Sequence, residues 1–135
     1  MLPTLEQVNS FNRGTIIEEI GLTITKVSEN SLEGEMPYSK KVTQPFGLIH
    51  GGIYCVISES LASIGSNLIL EKDEMAVGQS LSSQHLRPIS SGVLKAVAQL
   101  EHKGKTSHIW DIKIYDQQNK LVHVSRMQMA IRKKP

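Results

Sequence analysis

The stretch HGGIYCVISESLASIGSNLIL, residues 50–70, decides how the rest of the chain is interpreted. It contains no proline and, after its two glycines, only one charged residue, Glu59. At about 100° per residue, a helix with this sequence carries a narrow apolar stripe along one side. The stripe consists of Ile53, Ile57, Leu61, Ile64 and Leu68. The pattern therefore predicts one long helix over about residues 51–70 that packs on a sheet through this stripe.

Glu59 lies nearly opposite the stripe, on a side of the helix where its neighbours are small. Cys55, Ala62, Ser63 and Ser66 share that side, and Ser63 lies one turn beyond Glu59. Because the helix has no charged outer face, we expect protein to cover both of its sides. Burying a carboxylate costs free energy of folding, so a buried glutamate is expected to have a hydrogen-bond or ionic partner or a catalytic role. Two interpretations follow: a glutamate hydrogen-bonded at a subunit contact, or a catalytic glutamate. The turn before the helix favours catalysis.

Gly51 and Gly52 stand where the helix should begin. The first amide groups of a helix have no internal partners, and glycine lets a ligand approach the backbone closely. These amides can therefore bind an oxyanion, although a plain tight turn is the alternative explanation for two adjacent glycines. Glu59 is eight residues beyond Gly51, about 12 Å along the helix axis, so one small reacting group cannot reach both. If they act together, we expect a site shared between two chains of a symmetric dimer.

The remaining elements are inferred from periodicity and breaks. A short helix is predicted over about residues 4–11, with Thr4 as its cap, and two strands are predicted around the turn at residues 29–31. Beyond residue 74 every segment alternates like a strand, with short breaks at residues 88–92, 103–105 and 116–119. We expect these strands to form an antiparallel meander against the helix, which makes the fold α+β.

Composition excludes several classes of function. The net charge of the 135 residues is +2, too small to argue for nucleic acid or for an anionic membrane surface. A single cysteine, Cys55, allows no intrachain disulfide, and the first residues lack the pattern of a secretory signal. Residues 51–70 include Glu59, Asn67 and several serines, which argues against a membrane span. We expect a cytoplasmic protein.

The segment QPFGLIHGG, residues 44–52, followed by Glu59 and Ser63, closely resembles the hot-dog-fold acyl-CoA thioesterases. The nearest branch is PaaI-like and hydrolyses aromatic esters such as 4-hydroxybenzoyl-CoA and 1,4-dihydroxy-2-naphthoyl-CoA. The similarity continues through the later motifs VG (residues 77–78), HLRP (85–88) and SG (91–92). It implies one domain over residues 1–135, an antiparallel sheet wrapped around the central helix, and assembly into dimers and usually tetramers.

The resemblance also implies roles for individual residues. Glu59 is similar to the catalytic carboxylate, acting as nucleophile or as general base, and Gly51 to the residue whose N–H binds the thioester oxygen. Gln44 and His50 resemble the residues that orient the thioester and its leaving thiolate, and Ser63 would position water or the acyl group. Candidates for contacts with the coenzyme A part of the substrate are His85, Arg87, Ser90, Ser91, Lys103 and Lys105. No separate cofactor is implied.

Other enzyme chemistries have weaker support. No serine lies in a Gly-x-Ser-x-Gly motif, and the five histidines have no paired spacing with Cys55 that would bind a metal. His102, His108 and His123 fall in strands and are expected to be structural or exposed. Two alternatives on the same fold stay open: a hydratase or dehydratase acting on acyl thioesters, and a non-catalytic module that binds acyl-CoA. Ser82 and Leu86 depart from the residues of aromatic-specific relatives near the acyl pocket.

Overall fold

A six-stranded antiparallel sheet surrounds one long helix in the computed structural model, which describes residues 1–135. The strands are β1 (Thr23–Val27), β2 (Ser31–Pro37), β3 (Glu74–His85), β4 (Val93–Lys103), β5 (Ser107–Tyr115) and β6 (Leu121–Lys133). The helices are α1 (Leu5–Phe11), α2 (Ile16–Glu19) and α3 (Gly51–Leu68), with one 3-10 turn at Lys40–Val42. Because α3 contacts β2 to β6, the hydrophobic core lies between this helix and the concave face of the sheet.

The predicted N-terminal helix and first two strands are confirmed. Thr4 and Gln7 form a reciprocal capping box at the start of α1, because each side chain bonds the other residue's backbone N–H. The side chain of Asn9 then bonds both the N–H and the carbonyl of Ile24, which ties α1 to β1. A further helix that the sequence pattern did not indicate, α2, is a single turn that Thr15 caps. None of the helices has both the length and the apolar sequence that crossing a bilayer would require.

The predicted meander is correct for β4, β5 and β6 but wrong for β3. The strand order is β1-β2-β4-β5-β6-β3, so β3 pairs with β6 at one edge of the sheet and not with β4. Reaching β4 from β3 means crossing three strand spacings, about 14 Å in a flat sheet. Seven extended residues can span more than 20 Å, so the connection over residues 86–92 permits this crossing. Loop length alone could not identify the neighbour of β3.

The face of α3 that packs on the sheet only partly matches the predicted apolar stripe, of which Ile57 and Leu61 are fully buried. The fully buried residues of the helix are Tyr54, Ile57, Ser58, Leu61, Ala62, Gly65 and Ser66. Ile53, Ile64 and Leu68 of the stripe are only partly buried. The buried face is shifted toward the small residues because these let the helix backbone approach the sheet closely. At Gly65, an added methyl group would lie 2.6 Å from the Trp110 ring.

Hydrogen bonds compensate the burial of the helix hydroxyl groups. Ser125 of β6 donates to Ser58 at 2.7 Å, and the Trp110 indole N–H donates to Ser66 at 2.8 Å. His108 Nδ1 lies 2.8 Å from the same Ser66 oxygen, within reach of its O–H. A buried hydroxyl without a partner would cost free energy of folding, so these bonds make the small polar face compatible with the core.

We predict that Gly65→Ala destabilises the protein by about 1–3 kcal/mol, because the added methyl group overlaps the Trp110 ring. In an open helix the same change would stabilise by about 1 kcal/mol, so the sign of the effect identifies close packing. The free energy of unfolding is measured from urea transitions. In a Trp110→Phe background, where the shorter ring leaves space, Gly65→Ala should cost less than in the wild type. A higher urea midpoint for Gly65→Ala alone would contradict the packing described.

Candidate active site

β3 lies along one side of α3 and contacts it at successive turns. His85, at the end of the strand, packs on Gly51; Ser83 Oγ lies 3.5 Å from Cys55 Sγ; and Gly78 faces Glu59. Further along, the Asn67 side chain bonds both the N–H and the carbonyl of Ala76 at 2.9 and 3.1 Å. The edge strand is therefore fixed on the helix from one end to the other, and both ends of the candidate site lie on this seam.

The carboxylate of Glu59 occupies the space left by the missing side chain of Gly78. A methyl group on Gly78 would lie 2.5 Å from Glu59 Oε2, so no larger residue fits there without displacing the carboxylate. Glu59 is exposed and makes no hydrogen bond or ion pair within the chain. The expectation that protein covers both sides of the helix is therefore not met by one chain alone.

A cavity of about 450 Å³ opens beside Glu59. One wall comes from α3 and the other from α2 and its cap. The lining residues are Thr15, Ile16, Ile17, Cys55, Val56, Glu59, Ser60, Ser63 and Ile64. Ser63 thus joins Glu59 as predicted, whereas Ala62 and Ser66, expected on the same side, are buried against the sheet. The cavity combines apolar walls with a few polar groups, which is typical of a small-molecule site.

The N-terminus of α3 presents one free amide. His50 is the N-cap residue: its Nδ1 accepts the Gly52 N–H at 2.8 Å, and its carbonyl accepts the Ile53 N–H at 2.9 Å. The Gly51 N–H has no acceptor in the chain. Because Nδ1 of neutral His50 accepts a hydrogen bond, the ring proton is on Nε2, which can donate outward. The helix dipole adds positive potential at this end.

Gln44 lies in a tight loop that fixes its amide group. The Phe46 N–H donates to Gln44 Oε1, the Gln44 N–H donates to Leu48 O at 2.8 Å, and the Tyr38 hydroxyl donates to Gly47 O at 2.8 Å. Gly47 has a φ of +80°, the left-handed conformation that favours glycine at this turn. Since Oε1 is occupied, the amide presents its NH₂ group, which has no acceptor in the chain, as a donor.

His85 belongs to an aromatic cluster that the sequence pattern does not reveal. Its Nδ1 lies 3.1 Å from His123 Nδ1, and the His123 ring stacks on Tyr54 at a centroid distance of 5.0 Å. His123 and Tyr54 are buried, and burial lowers the pKa of His123 to about 4 and raises the pKa of Tyr54 to about 12. His85 and His123 are opposite each other in the β3–β6 register, which only correct strand pairing could have revealed.

The candidate contacts for coenzyme A fall into two groups. Arg87, Ser90 and Ser91 are exposed near the start of α3, where the Ile49 N–H bonds the Ile89 carbonyl at 2.9 Å. Lys103 and Lys105 lie beside residues 69–71, beyond the other end of the helix. Eighteen helical residues span about 27 Å, so the two groups are far apart within one chain. No group of three or more His, Cys, Asp or Glu residues is arranged to hold a metal ion.

The structure thus divides the predicted residues between two places. His50 and Gly51 lie at the N-terminus of α3 with His85 beside them, and the loop that carries Gln44 leads directly into this turn. Glu59 and Ser63 line the cavity about 12 Å further along. The first group supplies hydrogen-bond donors for an oxyanion, and the second supplies a free carboxylate and a hydroxyl. Each is half of what acyl transfer requires.

Comparisons with known proteins agree with this chemistry. A family model described as the thioesterase superfamily matches residues 46–123. Relatives include the proofreading thioesterase EntH of Cronobacter sakazakii, 37% identical over 95% of this chain and 93% of the relative. Another is the 1,4-dihydroxy-2-naphthoyl-CoA hydrolase of Listeria monocytogenes, 38% identical over 87% of this chain and 95% of the relative.

Solved structures support the same conclusion for the fold. A mutant thioesterase from Pseudomonas aeruginosa superposes with a TM-score of 0.95 at 34% identity, covering 99% of this chain and 97% of that chain. A thioesterase from Haemophilus influenzae gives a TM-score of 0.94 at 32% identity, covering 98% and 93%. Sequence and fold agree along nearly the whole chain: the protein belongs to the thioesterase superfamily and is a thioester hydrolase with the hot-dog fold.

Proposed function

We propose that the protein hydrolyses an aromatic acyl-CoA ester to the free acid and coenzyme A, with Glu59 as the catalytic carboxylate. The observation that carries this proposal is the environment of Glu59: an unpaired carboxylate seated against Gly78, facing a cavity large enough for an acyl group. Glu59 is the only ionisable residue among the cavity residues apart from Cys55. No other lining group is a base at neutral pH.

The reaction needs only groups that this chain supplies. Glu59 removes a proton from water as the water oxygen attacks the thioester carbon, or the carboxylate attacks first and water hydrolyses the resulting anhydride. The Gly51 N–H and the Gln44 NH₂ group donate to the oxyanion that forms. In the first route the C–S bond breaks as the tetrahedral intermediate collapses, and in the second it breaks when the anhydride forms, before water attacks. In both routes the coenzyme A thiolate leaves toward the His50 Nε2–H. Ser63 positions the water or the acyl group beside Glu59.

We assign the complete site to a dimer, since the two halves lie about 12 Å apart on one helix. The outer edge of β3 is unpaired, and residues 77–84 contain neither charge nor proline to protect it from another strand. If two β3 edges pair antiparallel with the two-fold axis between Leu81 and Ser82, Gly78 lies opposite His85 of the partner subunit. Gly78 lies against Glu59, and His85 lies against Gly51. This register therefore brings the Glu59 carboxylate of each chain close to the hydrogen-bond donors of the other chain. Pairing of two such dimers would give a tetramer.

The coenzyme A part of the substrate extends from the donor end. Arg87, Ser90 and Ser91 are close to that end and are the first candidates for its phosphates, with Arg87 suited to bidentate contacts. Lys103 and Lys105 stay candidates for a longer reach across the dimer, because they lie at the opposite end of their own helix.

The aromatic acyl group is supported by the cavity and by one relative. Ile16, Ile17, Val56 and Ile64 offer apolar walls, while Ser60 and Ser63 could bond ring hydroxyl groups. The Listeria monocytogenes relative acts, by its name, on 1,4-dihydroxy-2-naphthoyl-CoA.

We predict that Glu59→Gln keeps the fold but lowers kcat by at least about 10²- to 10⁴-fold, because the amide keeps the shape of the side chain and lacks its basicity. Release of coenzyme A is followed with a thiol reagent. The matched control is Glu35→Gln, which changes an exposed glutamate on β2 without an ion pair and should leave kcat unchanged. Turnover by Glu59→Gln within a few-fold of the wild type would refute the mechanism, whereas no release of coenzyme A by the folded wild type would favour a binding module.

We also predict that aroyl-CoA esters are hydrolysed with a kcat/KM at least about tenfold above that of acetyl-CoA, because burying a ring in the apolar cavity adds several CH₂ equivalents of about 0.8 kcal/mol each. Benzoyl-CoA, 4-hydroxybenzoyl-CoA and 1,4-dihydroxy-2-naphthoyl-CoA are compared with acetyl-CoA and hexanoyl-CoA. The hexanoyl ester controls for apolar burial without a ring. Equal kcat/KM for acetyl and aroyl esters would remove the aromatic assignment and leave thioester hydrolysis intact.

The shared site predicts complementation between two inactive proteins. Glu59→Ala and the double variant Gln44→Ala/His50→Ala are unfolded together and refolded as a mixture. In a mixed dimer, one site carries every defect and the other carries none. Random pairing makes half the dimers mixed with one good site of two, so activity should approach about a quarter of the wild type. Each parent refolded alone is the control and should stay inactive. Inactive mixtures, with mixed dimers verified by mass spectrometry, would place the site within one chain.

A further inference from the structure

The ring of His85 lies between the N-terminus of α3 and the buried ring of His123. On one side, a methyl group built on Gly51 would lie 2.7 Å from His85 Nε2, so this nitrogen is directed at the helix start beside the free Gly51 N–H. On the other side, His85 Nδ1 lies 3.1 Å from His123 Nδ1. The Nε2 atom of His85 therefore faces the helix start, and its Nδ1 atom faces His123. Because a neutral imidazole carries one ring proton, the hydrogen bond at Nδ1 determines whether Nε2 is protonated.

A hydrogen bond between two Nδ1 atoms needs one donor and one acceptor. His123 is fully buried, and its Nε2 has no hydrogen-bond partner. If the proton of His123 were on Nε2, a buried N–H would lack an acceptor, which is rarer in proteins than an acceptor without a donor. The proton of His123 is therefore assigned to Nδ1, which donates to His85 Nδ1. Neutral His85 must then carry its own proton on Nε2.

We propose that His123 is a positioning residue that holds His85 with its Nε2–H directed at the N-terminus of α3, where it serves as an additional donor to the thioester oxygen. This inference rests on the proposed thioesterase function. It adds the His85 Nε2–H to the Gly51 N–H and the Gln44 NH₂ group as proposed donors to one thioester oxygen. His123 itself does not reach the substrate, because it is fully buried beneath His85 and Tyr54.

A purely structural role explains His123 less well. The ring stacks on Tyr54, whose hydroxyl is also buried without a partner, so the pair leaves two polar atoms unsatisfied in the core. An apolar residue of similar size would pack there without this cost. The low pKa of His123, which burial causes, keeps its ring neutral at physiological pH and so preserves the single donor that faces His85.

A double-mutant cycle tests whether His123 acts through His85. His123→Leu removes the donor, and His123→Asn, of nearly the same shape, restores an N–H close to the position of Nδ1. We expect His123→Leu to lower kcat about 10- to 100-fold with KM changed less than about threefold, below the ~10²- to 10³-fold cost of deleting an oxyanion donor. His123→Asn should stay within a few-fold of the wild type.

In a His85→Phe background, the further change His123→Leu should have no effect on kcat, because the residue through which it acts is gone. His102→Leu, at an exposed histidine on β4, is the matched control and should leave kcat unchanged. An equal loss of kcat in both backgrounds, or an unchanged kcat in folded His123→Leu, would overturn the proposal. Thermal unfolding of each variant separates a loss of fold from a loss of positioning.

The protonation of His85 is also measurable without substrate. Nitrogen-15 NMR of histidine-labelled protein at pH 8, with the His85 signals identified by their absence in His85→Phe, should give one neutral form protonated at Nε2. In His123→Leu this state should become averaged between the two nitrogens. A wild-type His85 protonated at Nδ1, or a spectrum unchanged by His123→Leu, would refute the proposal even if acyl-CoA hydrolysis is confirmed. Failure to hydrolyse any acyl-CoA would refute the proposed function and leave the NMR result to decide this positioning.

Discussion

The close approach of α3 to the sheet is the constraint on which the rest of the structure depends. Glycine, alanine and serine residues of the helix meet β5 and β6 directly, and the Trp110 ring lies against Gly65. This contact fixes the height of the helix over the sheet, and with it the position of β3 beside the helix. Because β3 is at the edge, its contacts with Gly51 and Glu59 set the geometry at both ends of the site.

The placement of the chemistry follows from the same helix. A helix offers free amides only at its first turn, so the donors for an oxyanion must be at that end. A carboxylate placed there would compete for the same amides, as His50 does for the Gly52 N–H. Glu59 lies two turns further along, where it stays unpaired within its own chain. This separation within one chain leaves both the Gly51 N–H and the Glu59 carboxylate without a partner. We propose that a second chain brings such a donor and such a carboxylate together.

Much of this could be predicted from the sequence, where local patterns carry the information. Glu59 stood out because it is the only charge in a long helix, and the strands were evident from their alternation. The packing face of α3 was predicted only in part: Ile57 and Leu61 are buried as expected, but periodicity ranks residues by apolarity, whereas close packing selected Gly65 and Ser66 for their size. The pairing of β3 with β6 is a long-range choice that loop length leaves open. His123 could not be recognised without it, since only that pairing places it opposite His85.

The unpaired edge of β3 would make activity depend on the association of two chains. If each reaction centre is assembled from two chains, a newly synthesised or dissociated chain is inert toward thioesters. Turnover is then governed by mass action, rising with the square of chain concentration when monomers dominate and linearly once pairing is complete. Coenzyme A esters, which many pathways share, would be protected from hydrolysis by incompletely assembled protein. Because the exposed edge of β3 is where two chains would pair, it would make the activity of the enzyme depend on its own concentration.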